Sequence, residues 1–206
     1  MTTLHYFDFY GRAEVIRFAL HAFNEPFIDH CITPEEFLKT KRKNEFGLLP
    51  CLEIDGMVLV QSKSILRYLC QKHNAYPLEM YRIYQTESII DAFGDIKDAI
   101  AKERMGKNEE ESLRWINENM PRWFGILEKR LVENDNGGSF YVGDTPTMSD
   151  FVSANFIYDF FMRPGKEDQR SLLETHGQLL KAHTERLIDF YPSLKAYLAS
   201  RQQKEF

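Results

Sequence analysis

Residues 47–69 read GLLPCLEIDGMVLVQSKSILRYL. Two short apolar runs, 49–54 and 57–60, flank Asp55-Gly56, a pair that accepts the positive φ of a tight turn, so a β-hairpin is predicted. The hairpin delivers a polar pair, Gln61-Ser62, to a helical pattern in which Ile65, Leu66, Leu69 and Cys70 share a face. A helix start offers unpaired N–H donors and a partial positive charge, which together suit an anion. Ser62 reads as the cap of this helix, and a cap and an anion site are compatible at one position.

Upstream, LHYFDF (4–9) is short and aromatic and reads as a strand, broken by Gly11. Val15, Phe18, Ala19, Ala22 and Phe23 then recur at helical spacing. PFIDHCI (26–32) reads as a second strand, and Thr33, Pro34 and Glu36 as the cap, first residue and capping box of a helix from about 34. The order β-α-β-α-β-β-α over residues 1–75 is that of a thioredoxin-like layer. Redox members of that fold carry Cys-x-x-Cys after the first strand. Here the place holds DFYGRAE, without a thiol, and such a domain can still act on a thiol brought in as ligand.

NAYPLE (74–79) reads as a linker, and residues 81–206 as an all-helical domain, with SFYVG (139–143) the one strand-like run. Thr147 and Asp150 form a capping box for a helix carrying Phe151, Phe156 and Phe160. The last helices are expected at about 170–189 and 193–202, separated by Pro192.

The 206 residues are 43% hydrophobic and 28% charged, an ordinary globular composition. A net charge of −5 disfavours nucleic acid or an anionic membrane as partner. No apolar run reaches membrane-spanning length, and the start lacks the pattern of a secretory signal. Cys31, Cys51 and Cys70 show no metal spacing and sit in apolar contexts, so all three read as buried thiols in a reduced, cytoplasmic setting.

YFDFYGRAEVIRFAL (6–20), FGLLPCLEIDGMVLVQSKSILRYL (46–69) and GDTPTMSDF (143–151) together resemble the cytosolic glutathione transferases, particularly the tyrosine-type sigma class. The resemblance spans essentially the whole chain. It implies the glutathione transferase fold: an α/β thioredoxin-like N-terminal domain that binds glutathione, and an all-α C-terminal domain that contributes a hydrophobic acceptor site.

The same resemblance implies a role for each matching residue. Tyr6 donates its hydroxyl proton to the glutathione sulfur and stabilises the thiolate, and Arg12 adds positive potential beside it. Leu49, preceding Pro50 where the family has a cis-proline, pairs through its backbone with the cysteinyl part. Gln61 and Ser62 hold the γ-glutamyl carboxylate. Phe37 and Lys41 contact the glycyl end, and Asp95 reaches the γ-glutamyl ammonium of the neighbouring subunit, which implies a homodimer. Phe9, Tyr10, Lys102, Met105 and the aromatic helix 151–161 occupy acceptor-site positions, with Tyr10 able to present a second hydroxyl. Phe37 replaces the usual tryptophan and Leu48 the usual Lys or Gln, so two donors toward the glycyl end are lost.

The expected activity is attack of the glutathione thiolate on a small hydrophobic electrophile, with glutathione as co-substrate and no metal. The alternatives are a glutathione-dependent peroxidase or isomerase, including the prostaglandin type, and a crystallin-like or ligand-carrying protein without catalysis. A tryptophan near Lys102, expected of a prostaglandin D synthase, is missing, and glycine stands at 94 where such an enzyme is expected to carry an acid able to hold a divalent metal.

Overall fold

Along β1 (Thr2–Tyr6) Thr2, Leu4 and Tyr6 point into the core, the period of two that a strand buried on one face requires. The computed structural model describes residues 1–40, 45–105 and 108–202. β1 lies centrally in a four-stranded sheet of order β2-β1-β3-β4, with β2 spanning Phe27–Cys31, β3 Cys51–Ile54 and β4 Met57–Val60. β1 and β2 are parallel, so a crossover helix must connect them: α1 (Glu14–Ala22). β3 pairs antiparallel with β1 and with β4, closing the expected hairpin with Asp55 at φ 52 and Gly56 at φ 77. α2 (Pro34–Thr40) starts on its capping box: Thr33 N–H donates to Glu36 Oε2 (2.8 Å), and Glu36 N–H to Thr33 Oγ1 (3.2 Å).

Three expectations in this region change. The first strand ends at Tyr6, not residue 9, because the Phe9 N–H closes onto the Phe7 carbonyl (2.8 Å) in a three-residue turn that carries the chain off the sheet. Cys31 is exposed at the end of edge strand β2, whereas Cys51 and Cys70 are buried as expected. Ser62 is the first residue of α3 (Ser62–Lys72) and not its cap: Gln61 stands at the cap, with no side-chain capping bond.

The chain forms two compact units, Met1–Asn74 with Ile188–Phe206, and Ala75–Leu187. In the second, α4 (Met80–Arg104) is capped by Glu79, whose carboxylate accepts from the Tyr81 and Arg82 N–H groups. α5 (Glu109–Glu133) starts on an Asn108–Glu111 capping box, and α6 (Met148–Ile157) on the expected Thr147–Asp150 box. α6 runs into a π-helical turn, Tyr158–Met162. Residues 139–143 pass in bends and not as a strand. The helix expected at 170–189 is two, α7 (Glu167–His176) and α8 (Gln178–Phe190). They break at Gly177, where a Cβ would come within 2.8 Å of Leu173 and 3.2 Å of the Phe124 ring. α9 (Pro192–Ser200) follows and packs on α1 in the first unit. Among the described residues no helix is long and apolar enough to cross a membrane.

Candidate functional site

The turn at Phe7–Phe9 and a single 3₁₀ turn, Gly11–Ala13, bring the chain back over the end of β1. There the Arg12 backbone N–H donates to the Tyr6 hydroxyl oxygen at 3.0 Å. A phenol that accepts at its oxygen retains its own proton for a further acceptor, and the accepted bond polarises that O–H. Tyr6 is 5% exposed, and its ring lies against Phe9 at 5.1 Å and Phe7 at 5.8 Å. Gly11 makes this approach possible: its φ is +44°, and a Cβ there would stand 2.6 Å from the Tyr6 hydroxyl and 2.7 Å from the Phe9 ring.

Arg12 itself is exposed, so the residue selected for its guanidinium serves Tyr6 through its backbone. Phe37 in α2 is half-buried, edge-on to Phe7 at 5.6 Å and 80°, while Phe7 stacks on Phe9 at 5.8 Å and 8°. Phe7 thus joins Phe37 to the Tyr6 ring, a linking role that its sequence context did not signal. Lys41 lies outside the described residues.

The Leu49–Pro50 bond is cis, the isomer the sequence left open. It leads directly into β3, which pairs with β1. Gln61 has φ 69 and ψ 108, a left-handed backbone that costs a non-glycine residue of order 1–3 kcal/mol. Gln61 is exposed, and strained residues of this kind cluster at ligand-binding positions. α3 has no acid in its first turn, whereas α2 has Glu35 and Glu36 and α5 has Glu109, Glu110 and Glu111. Its N–H donors and dipole are therefore not already matched by a carboxylate of that turn.

Beneath the turn lies a pair of charges that sequence reasoning missed. Glu14 and Arg17, one turn apart on α1, are 0% and 2% exposed. The Arg17 guanidinium donates to Glu14 Oε2 (3.1 Å), to both Asp29 oxygens (2.8 and 3.2 Å), and to the Phe9 and Tyr10 carbonyls (3.2 and 3.4 Å). Burial opposes its charge, but the Asp29 bond and the two carboxylates prevail and raise its pKa. The signal, opposite charges at i and i+3, is equally that of a solvated helix face.

The acceptor candidates behave differently. Phe9 is half-buried beside Tyr6. Tyr10 is 3% exposed and its hydroxyl donates to the Gln202 carbonyl at 2.7 Å, so the hydroxyl offered to an electrophile is held within the fold. In the second unit, Lys102 and Met105 stand exposed at the C-terminal end of α4, and Asp95 is exposed in its middle. Phe151, Phe156 and Phe161 are core, while half-buried Phe160 stacks on Phe156 at 4.6 Å. Among the described residues no group of three or more His, Cys, Asp or Glu could hold a metal ion.

Residues 2–71 match the family model of the glutathione S-transferase N-terminal domain and residues 91–201 that of its C-terminal domain. The chain is 32% identical to a glutathione S-transferase of Plasmodium yoelii yoelii over 83% of this chain and 78% of that one. It is 30% identical to S-crystallin 4 of Enteroctopus dofleini over 99% and 98%. Among solved structures it is similar to a pi-class glutathione S-transferase of Onchocerca volvulus, with TM-score 0.85 and 27% identity over 97% and 93% of the two chains.

Proposed function

The chain belongs to the glutathione S-transferase family, and from that premise we propose that Tyr6 is the group that holds the glutathione sulfur as thiolate. The enzyme is a glutathione S-transferase with glutathione as co-substrate. The observation that carries the role of Tyr6 is the 3.0 Å bond from the Arg12 N–H, which occupies the phenol oxygen as acceptor and leaves its proton to donate. A free thiol has a pKa of about 8.5, so a donor that favours the thiolate raises the nucleophile's population at neutral pH. The sulfur then attacks the electrophilic carbon, a C–S bond forms, and the leaving group departs with the bonding pair. The thiol proton has already passed to solvent.

Gln61 and Ser62 bind the γ-glutamyl carboxylate in this reading, supported by the strained Gln61 backbone and the acid-free first turn of α3. Leu49, beside cis Pro50, offers its backbone to the cysteinyl part. Phe37 and Lys41 serve the glycyl end. For a small hydrophobic electrophile, Phe9 is the acceptor candidate of the first unit and Lys102 and Met105 those of the second, while Tyr10 is buried with its hydroxyl on the Gln202 carbonyl. The chain works as a homodimer in the cytoplasm, Asp95 serving the neighbouring subunit's glutathione. Leu78, Met80, Tyr81 and Tyr84, all strongly exposed around the start of α4, support the assembly. The S-crystallin relative supports a sigma-class placement.

Turnover of an activated aryl chloride, compared in wild type and Tyr6→Phe with the products separated, tests this function. Conjugate formed by wild type and lowered about 10²-fold in the variant is the expected result. Oxidised glutathione formed from a peroxide, with no conjugate from any electrophile, would favour the peroxidase reading. No turnover with glutathione bound would favour the crystallin-like one.

A further inference from the structure

The turn that carries the Arg12 N–H is tied to the last described residues of the chain. Tyr10, two residues before Arg12, donates its hydroxyl to the Gln202 carbonyl at 2.7 Å, and the Arg201 guanidinium lies 4.2 Å over its ring. Arg201 also pairs with Glu14 Oε1, which accepts in addition from the Tyr197 hydroxyl at 2.8 Å. Glu14 Oε2 takes Arg17 Nη1, and that nitrogen reaches back to the Phe9 and Tyr10 carbonyls. The Glu14 N–H itself donates to the Tyr10 carbonyl at 3.1 Å. Two cations and two anions, Arg17, Arg201, Glu14 and Asp29, therefore close a neutral and largely buried network around residues 9–14.

Each bond in that network fixes the turn, and the turn fixes where the Arg12 N–H points. We infer that Arg201, with Tyr197, Tyr10 and the Gln202 carbonyl, forms a C-terminal strap that positions the Arg12 N–H against Tyr6 and so sets the strength of Tyr6 as donor to the thiolate. These are positioning residues, since they act through the turn. The inference rests on the reading of Tyr6 as that donor. A guanidinium suits the strap as an ammonium does not, because it can lie flat over the Tyr10 ring while pairing with Glu14 in its own plane.

The test is the pH titration of the thiolate absorbance of bound glutathione, without electrophile, in the full-length wild type, Tyr6→Phe, Tyr10→Phe, Arg201→Met and Arg201→Lys. Leaving out the electrophile keeps any acceptor-site role of Tyr10 out of the readout. Tyr10→Phe keeps the ring beneath Arg201 and removes only the bond to Gln202, so it reports even where Arg201→Met fails to fold. Tyr10→Phe and Arg201→Met are expected to raise the midpoint by roughly half a unit, a thiolate-to-thiol ratio about three-fold lower at a given pH, with glutathione affinity unchanged within about two-fold. Arg201→Lys recovers part of the shift. A purely structural strap would lower the melting temperature and leave the midpoint in place, and that result overturns the inference. If Tyr6→Phe itself leaves the midpoint unmoved, it is the reading of Tyr6 that fails. If Tyr6→Phe raises it and Tyr10→Phe does not, only the strap fails.

Discussion

At Tyr6 the phenol oxygen already accepts the Arg12 N–H, and the site depends on how closely that turn can approach. Gly11→Ala would place a methyl 2.6 Å from the Tyr6 hydroxyl at a backbone φ of +44°. The hydroxyl or the turn must move, and kcat/KM for conjugation is expected to fall at least about ten-fold, with stability lowered by about 1–3 kcal/mol. Parallel kinetics and urea unfolding check both. His21, stacked on Tyr197 at 4.0 Å, carries the pH dependence of this region. Burial lowers its pKa from the ordinary 6.5, with Arg17 assisting against the pull of Glu14 and Asp29. The unfolded chain therefore binds this proton first as pH falls, and stability drops from about pH 6.5 down to the lower folded value. His21→Phe keeps a ring on Tyr197 and removes the titration. Denaturation at about pH 7.5 and about pH 5.5 should show the variant losing less stability than wild type. Of these residues the sequence pointed to Tyr6 and Arg12, and the atom Arg12 uses was not legible there. Nothing local distinguishes a guanidinium aimed at a ligand from a backbone N–H folded back onto a tyrosine six residues earlier.

Among the elements, two capping boxes and one tight turn were read correctly, each with its determinants within four residues. The Thr33–Glu36 and Thr147–Asp150 boxes and the Asp55-Gly56 turn each close on themselves. Some misreadings were local, as at the Phe7–Phe9 turn and the Gln61 cap, and one fell where a distant neighbour decides. The α7–α8 break at Gly177 is set by Leu173 and by Phe124, a residue of α5 that the local helical period cannot reveal. Asp150 shows how much one such element holds. Fully buried, it accepts from the Tyr141 N–H (2.9 Å), the Thr147 N–H (2.7 Å), the Thr147 hydroxyl (2.9 Å) and His183 Nε2 (2.8 Å). The same burial, together with the Asp150 charge, pushes the Tyr141 phenol pKa up. Asp150→Ala would orphan several buried donors at once and is expected to cost at least about 3 kcal/mol of stability, measured by urea unfolding. Activity per folded molecule should change much less.

On the scale of the molecule, the hydrophobic periods gave the α/β and helical parts, because period two and period 3.6 are local. The return of the chain to the first unit at Ile188 was not legible. α9 packs on α1, and this covering makes an ordinary-looking Glu14–Arg17 pair a buried one. No local property of residues 192–200 states where that helix docks. The same limit applies to the proposed thiolate site, whose candidate residues come from β1, α2, the approach to β3 and the start of α3, and were gathered by family likeness rather than by spacing. In the proposed function the enzyme holds bound glutathione as thiolate through Tyr6. The most direct measurement is the ultraviolet difference spectrum of bound glutathione against pH, for wild type and Tyr6→Phe. A thiolate band persisting well below about pH 8 in the wild type and moving to higher pH in the variant is the predicted result. A band with the same midpoint in both proteins, or bound glutathione with no thiolate at all, would contradict it.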